Sequence, residues 1–534
     1  VAYYHGQGKL EDDYLKLCNS PPQFIGVDTE TIGKEDRTPI GVSIATAPDT
    51  SFYFPLYPDI DPKLPWHILQ DPKITKVYQN AIFDLNVLGI PSNELGPIDR
   101  DNITDTYIIA QLIGRRDKSL FDLQWEVGRE DITKAADMLR GGKSMLDYPT
   151  EVVAKKCCID AEVTLQWYLH HEDKVDKQYL ARELKIIPIL IDMSNRGILI
   201  DHSVRSRVEA RLTKQVNYLR AIADGEGFNP GSPQQVGYIL ATRGVFLPWT
   251  KKKKQFATDA SVLELVDDPL AGLVLDYRHD STLLNRYIKP IANDERFYTE
   301  FNLDAVTGRI SSSKRNIQNL PPGEVRSMLL PDSGIFTDID YSQIELRILA
   351  YLSGDRKMLE IFADREGDIH QFVANFMRII RKTAKNVHFG LIYGATPTCL
   401  RETAKIKDLR RCAQLIDMWF DLFKDAGYFI RETQREGLRD GYIDTLGGRR
   451  IPIPIGYEND EACMRKAINY KIQGSAAEIM KDTLIVCQHL PQAITVHDED
   501  VFDGDVMREV VQLDLEHISP LETPITIKLL ERWE

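Results

Sequence analysis

Hydrophobic and polar positions follow a strand-like rhythm over the first 180 residues and a mainly helical one afterwards. "FIGVDTE", "GVSIATA" and "KVYQ" read as strands set between helical patterns, which predicts an α/β domain. From Glu183 the texture changes: "SVRSRVEARLTKQVNYLRAI" (203–222) reads as a long basic helix. A second helical stretch is "ASVLELVDDPLAGLVLDYRHDSTLLNRYIKPI" (260–291), with turn signals "FNPGSPQQ" and "VFLPWTKKKK" between the two. Strand character returns at "IFTDID" (335–340), and helices then dominate as far as "GYIDTLGGRRIPIP". Near the end, "AITVHDEDVF" (493–502) reads as one strand that carries His497, Asp498, Glu499 and Asp500. Clustered carboxylates buried without partners cost several kcal/mol, so a cation is expected nearby. Asp500 is expected to be exposed.

Composition refines this picture. A chain of 534 residues is too long for one core, so two or more domains are expected. A content of 43% hydrophobic and 27% charged residues excludes wholesale disorder. The net charge of −14 offers no global attraction to nucleic acid, so any such grip must be local. Seven scattered cysteines with no C-x-x-C pair indicate neither a zinc site nor a disulfide framework, which fits a reducing, cytoplasmic interior. No apolar run reaches about 18 residues, so no membrane association is expected. The chain opens at Val1 without a signal peptide, and its natural start is expected to be missing.

Three constellations carry chemistry. Asp340 ends an apolar strand, and with Asp498 it supplies carboxylates from two separate strands. Two divalent cations about 3.5–4 Å apart are the usual device for in-line phosphoryl displacement. Mg²⁺ needs only one or two carboxylates besides substrate phosphates. "RKTAKNVHFGLIYG" (381–394) places Arg381, Lys385, Phe389 and Tyr393 at i,i+4 spacing on one helix face. Such a stripe presents two cations to a triphosphate and an aromatic ring to a base or sugar. In "FIGVDTET", Asp28 and Glu30 share a strand face; "NAIFD" sets Asn80 and Asp84 one helical turn apart, and "CCIDAEVT" adds Asp160 on a helix. Each stretch alone also reads as polar strand ends or a solvated helix face.

Together the motifs resemble those of family A DNA polymerases, the class of bacterial DNA polymerase I and many phage replicases. "DYSQIELR", "RKTAKNVHFGLIYG" and "VHDE" match the three polymerase motifs in order. "TGRISSSKRNIQNLP", "GYIDTLGGRR", "RKAINYKIQGSAAEIMK" and "FNPGSPQQ" support them. The resemblance implies an α/β plus α+β multidomain protein: an RNase H-like 3′–5′ exonuclease domain (1–180), then a right-hand polymerase (181–534). Within the latter, the thumb is expected at about 201–291 and the fingers at about 353–440. The palm is expected from 181–200, 292–352 and 441–534. Template-directed addition of dNTPs to a primer 3′-hydroxyl would use two Mg²⁺ ions per active site, with Mn²⁺ as substitute.

The family's roles carry over residue by residue. Asp340 and Asp498 resemble the metal-binding aspartates, the Tyr341 carbonyl joins them, and Glu499 belongs to the catalytic group. Arg381, Lys385 and His370 match triphosphate contacts, with Lys385 as proton donor to pyrophosphate. Phe389, Tyr393 and Gln343 line the nucleotide site, and Glu345 matches the steric gate against a ribose 2′-hydroxyl. Arg309, Asn316, Gln318, Arg465, Asn469, Gln473 and His497 fall where the family touches primer and template. In the first third, Asp28, Glu30, Asp84 and Asp160 resemble the exonuclease metal ligands, with Asn80 beside them. Primer-template DNA and dNTPs are the implied ligands, replisome or processivity factors the implied partners, and a monomer the implied state. The implied cell is bacterial or phage-infected, or the interior of an organelle.

Some positions depart from the family. Lys156 stands where a water-orienting tyrosine is usual, and a cation cannot do that job, so a correctly folded domain that binds metal with attenuated activity is expected; the bland alternative is a solvated lysine beside Lys155. The segments between His370 and Arg381 and between Pro322 and Arg326 are short. Arg205, Arg207, Arg211, Lys214 and Arg220, with Lys251 to Lys254, are expected to track duplex phosphates. A hydrolase alone, a non-catalytic primer-template binder and a single-subunit RNA polymerase are the competing readings. Asp340, Asp498, Arg381, Lys385 and Glu345 weigh against them.

Overall fold

The computed structural model describes residues 2–3, 21–33, 36–56, 63–95, 97–129, 132, 144–250, 255–364, 367–406 and 408–534. Lys251 to Lys254 lie outside the described residues. Two units form: Val1–Asp192 with Arg449–Pro452, and Met193–Gly448 with Ile453–Glu534.

The first unit is built on β1 (Ala2–Tyr3), β2 (Phe24–Thr31), β3 (Pro39–Ala47), β4 (Thr50–Pro55), β5 (Thr75–Tyr78) and β6 (Ile103–Asp105). Their order is β1-β4-β3-β2-β5-β6, with β2 antiparallel to β3 and parallel to β5. Apolar residues on both faces of β2 suit a central strand covered by helices. Helices α1 (Ala81–Leu95) and α2 (Thr150–His171) belong to this layer. Helix α2 lies hard against β2 at Gly26, where a Cβ would meet the Ala161 carbonyl oxygen at 2.2 Å. That approach brings Asp160 on α2 toward Asp28 on β2. Helix α1 starts at Ala81, so Asn80 precedes it rather than occupying a helical turn, at φ 69°. The Asp105 carboxylate holds that entry by accepting from the amides of Asn80 at 3.1 Å and Ala81 at 2.8 Å.

In the second unit, the long basic helix is α3 (His202–Gly225), capped by Asp201, which accepts from Ser203 and Val204 amides. The stretch 260–291 is not one helix. A short turn, Ala260–Leu263, precedes α4 (Pro269–Leu283), which continues as a π turn and a 3-10 turn to Ile291. Asp268 caps α4 and Pro269, lacking an N–H, fits only its first turn, so the break is written locally.

The acidic strands form a four-stranded antiparallel sheet of β7 (Phe336–Tyr341), β8 (Gln492–Val496), β9 (Glu499–Asp503) and β10 (Ile525–Leu530). Its order is β8-β9-β7-β10. The expected single strand 493–502 is instead a hairpin. Val496 pairs with Glu499, leaving His497 and Asp498 as a two-residue turn. His497 at φ 56° supplies the left-handed conformation that such a turn demands at its first position. The turn also resets which side chain points where. Asp340 pairs with Glu499 and Ile339 with Asp500, so Asp340 and Glu499 share one face while Asp500 joins the other. Asp500 is therefore 0% exposed, against the expectation of a surface position.

Helices α5 (Ile344–Ser353), α6 (Ile369–Met377), α7 (Arg381–Ile392) and α8 (Asp460–Val486) share one core with Tyr341 at the end of β7. Their common core includes Tyr341, Leu346, Val387, Leu391, Trp419, Phe423 and Ile472. The apolar side of α7 is thus committed inward, and the stripe Arg381, Lys385, Phe389 faces out.

Candidate active site

The end of β7 and the β8–β9 turn bring Asp340 and Asp498 together. The Tyr341 amide donates to the Asp498 carbonyl at 3.0 Å, one residue beyond the Asp340–Glu499 pair. Burial pushes the Asp340 carboxyl up to about 7, and the negative charges of Asp498, Asp338 and Glu499 add to the rise. Burial also raises Asp498, while Arg309 and Lys385 draw it back. Asp338, not anticipated as part of the group, lies two residues before Asp340 on the same strand face. Burial and then Glu499 push it to about 6. Period-2 alternation in "FTDID" was the signal for it.

Cations from four directions make this tolerable. Lys528 stands opposite Asp338 on β10 and lowers both Asp338 and Asp340. Arg326 lies 3.4 Å from Glu499, whose other oxygen accepts from the Trp533 indole at 2.6 Å. The Arg326 guanidinium also sits 4.0 Å from the Trp533 ring centre. Arg326, Lys528 and Trp533 are distant in sequence from the acids they serve, and no local pattern announces them. Residual repulsion between Asp340 and Asp498 is what a divalent ion would relieve, so the two carboxylates fit such an ion. The Tyr341 side chain turns away; its hydroxyl bonds Thr483 at 2.8 Å and the Leu515 carbonyl at 3.2 Å.

Glu345 is buried at the start of α5 and held twice. Arg309 forms an ion pair with one oxygen, and the Tyr393 hydroxyl donates to the other at 2.7 Å. Tyr393 is the cap residue of α7 rather than part of it, and burial together with Glu345 raises its hydroxyl pKa. Lys385 and Tyr393 flank Phe389, at 5.8 Å from its ring centre and 6.1 Å between ring centres. Arg381 is exposed and paired with Asp368 at 2.6 Å. His370 is buried, with its Nδ1 2.7 Å from His388 Nδ1. Burial lowers His370 to about 4 and His388 to about 3, and so disfavours an imidazolium at either ring in the unliganded protein. The Gln343 side chain donates to the Gly367 carbonyl at 3.4 Å.

Arg465, Asn469 and Gln473 occupy one face of α8, half-buried, and Arg465 packs on Gly394 just beyond α7. Arg309, Gln318, Thr495 and His497 line a small cleft. Gln318 donates to the carbonyls of Ile310 at 3.1 Å and Thr495 at 3.2 Å, and burial lowers His497. Asn316 is occupied locally, capping the turn Ile317–Asn319. Along α3 the basic residues divide. Arg205 pairs with Glu209, Arg211 with Glu324 and Arg220 with Asp224, whereas Arg207 and Lys214 are exposed.

In the first unit, Asp28, Glu30, Asp84 and Asp160 converge: burial raises Asp28 well above the usual range, and Asp160, Glu30 and Asp84 push further. Burial also raises Glu30, and moves Asp84 to about 7 although Thr29 donates to it through hydroxyl (2.7 Å) and amide (3.1 Å). Asn80 is exposed at the mouth of α1. Lys156 is half-buried rather than a free surface lysine; its ammonium lies 2.5 Å from Glu30 and 2.8 Å from Asp160. Burial alone would lower its pKa, but Asp160, Glu30 and Asp28 outweigh that and hold it well above ordinary.

Comparison with known proteins follows the same geometry. Residues 201–525 match the family model for DNA polymerase family A. The chain is 30% identical over 529 residues to DNA polymerase I of Chloroflexus aurantiacus, across 89% of this chain and 55% of that protein. It is 29% identical over 576 residues to DNA polymerase I of Pseudomonas aeruginosa, across 96% and 62%. The chain thus spans little more than half the length of the curated relatives it matches. A solved structure, the POL domain of Pol1 from M. smegmatis in complex with DNA primer-template and dNTP, aligns with TM-score 0.81 at 26% identity. That alignment covers 100% of this chain and 99% of the other. Among the described residues, no helix is long and apolar enough to cross a membrane.

Proposed function

The chain belongs to DNA polymerase family A, and from that premise we propose that it extends a DNA primer by template-directed addition of dNTPs. The observation that carries this is the meeting of Asp340, at the end of β7, with Asp498, in the β8–β9 turn, locked by the Tyr341–Asp498 backbone bond. Divalent ions held there, Mg²⁺ or Mn²⁺, would activate the primer 3′-hydroxyl and stabilise the triphosphate charge.

The chain's own groups do the rest. Lys385 meets the triphosphate and gives a proton to pyrophosphate. Arg381 exchanges Asp368 for phosphate oxygens, and Phe389 packs on the incoming sugar and base. Glu345 sets bulk beneath C2′, where an apolar pocket alone would discriminate weakly against a hydroxyl. Arg309, Gln318, Arg465, Asn469, Gln473 and His497 line the path for primer and template. The proposed domain limits are an exonuclease-like 1–180 and a polymerase 181–534. Thumb and fingers fall at about 201–291 and 353–440, with palm in the remainder. The first unit is read as a 3′–5′ exonuclease-like domain on an RNase H-like sheet, a reading supported by the convergence of Asp28, Glu30, Asp84 and Asp160.

Primer extension with dNTPs or NTPs and Mg²⁺, run beside Asp340→Ala, tests the proposal. Extension with dNTPs that vanishes in the variant supports it; extension that survives removes Asp340 from the chemistry.

A further inference from the structure

The acid cluster of the first unit has the outline of a cation site. Asp28, Glu30 and Cys157 each offer an atom within 4.8 Å of the others. Asp28 Oδ2 and Asp160 Oδ1 are buried without a hydrogen bond. Yet a cation is already there. Lys156 precedes Asp160 by one turn of α2, and its Nζ reaches Glu30 Oε1 at 2.5 Å and Asp160 Oδ2 at 2.8 Å.

We propose that the Lys156 ammonium is the resident counter-ion of this cluster, standing in place of a divalent metal, so that the unit folds without metal and does not hydrolyse DNA. The inference rests on the exonuclease-like reading of the first unit. Mg²⁺ binds oxygens at about 2.0–2.1 Å, so an ion on Glu30 Oε1 would lie within about 5 Å of the ammonium. Like charges at that range oppose each other, and the metal would have to displace the lysine from both carboxylates. An ammonium has three donors and no acceptor, so it can neither accept a proton from an attacking water nor generate a hydroxide as a metal does. Cys157 offers no alternative, because its thiol points at the Asp28 carbonyl at 3.5 Å.

The test counts bound Mn²⁺ by electron paramagnetic resonance on the full chain carrying Asp340→Asn and Asp498→Asn, which disables the other acidic site. In that background Lys156 is compared with Lys156→Tyr and Lys156→Gln, each with and without Asp28→Asn. The Lys156 chain should hold no ion that Asp28→Asn removes. Both Lys156 variants should gain one, with affinity higher by more than about tenfold and a Mn²⁺-dependent rise in Tm. An Asp28-dependent ion in the Lys156 chain overturns the proposal and leaves the exonuclease-like reading standing. Folded variants that gain no ion overturn both. Should the variants fail to fold, the Lys156 chain alone decides: an Asp28-dependent ion refutes the proposal, and its absence supports it.

Discussion

The Tyr341 amide donates to the Asp498 carbonyl at 3.0 Å, so the two acidic positions are joined through main chain rather than through their own side chains. Truncating either carboxylate should therefore leave the hairpin in place. Asp340→Ala and Asp498→Ala are each expected to lower primer extension by more than about a hundredfold. Far-ultraviolet circular dichroism should be unchanged. Loss of folded signal in step with activity would place these residues in stability instead.

The Asp340 carboxyl, raised from 3.8 to about 7, makes the metal-free protein sensitive to pH. A carboxyl raised in the folded state ionises first in the unfolded chain, so stability falls as pH climbs from about 4 to about 7. Asp340→Asn escapes this. After discounting for partial exposure, it should stabilise the metal-free protein by about 1–2 kcal/mol at pH 8 and by nothing measurable at pH 3.5, read from urea unfolding. A divalent ion held there would run the opposite way, its binding expelling the proton, so the Mg²⁺ needed for half-maximal extension should fall as pH rises from 6 to 8.

Glu345 is pinned between Arg309 and Tyr393. If Glu345 is the proposed steric gate, Glu345→Ala, which removes its bulk, should raise incorporation of NTPs relative to dNTPs by about tenfold to a hundredfold. Tyr393→Phe keeps that bulk and frees one oxygen, so its discrimination should change far less. Single-turnover incorporation of matched dNTP and NTP pairs separates the two.

On α3, Arg207 and Lys214 are exposed while Arg205, Arg211 and Arg220 are spent on acidic neighbours. Arg207→Ala and Lys214→Ala should each weaken duplex binding regardless of sequence and reduce the log–log salt slope by about one. Arg220→Ala should leave the slope alone and lower Tm instead, through lost bonds to Asp224 and Asn229.

The sequence announced the acids better than their company. Asp340 at a strand end and the stripe on α7 follow from periods of two and 3.6, which local sequence encodes. The β8–β9 turn did not stand out, because its two residues are His497 and Asp498 rather than Asn-Gly or a similar pair. Without that turn in the pattern, Asp500 reads as an exposed strand position, whereas it is buried. Lys156 and Asp160 carried a visible i,i+4 spacing, but the share of Glu30 in the pair depends on how closely α2 approaches Gly26, and that is tertiary. Arg326, Lys528 and Trp533 arrive from far along the chain and have no local signature.

Asp500 carries a consequence for heat tolerance. Both its oxygens are buried without a hydrogen bond, beside Ile339 and Phe502 on the back of the acidic hairpin. Burial raises its carboxyl well above the usual range and so favours the protonated form, and that preference lapses whenever the hairpin breathes and water enters. Each opening is then favoured by the released proton, so thermal inactivation should begin at the hairpin whose turn carries Asp498. The chemistry would be lost before the bulk of the molecule melts.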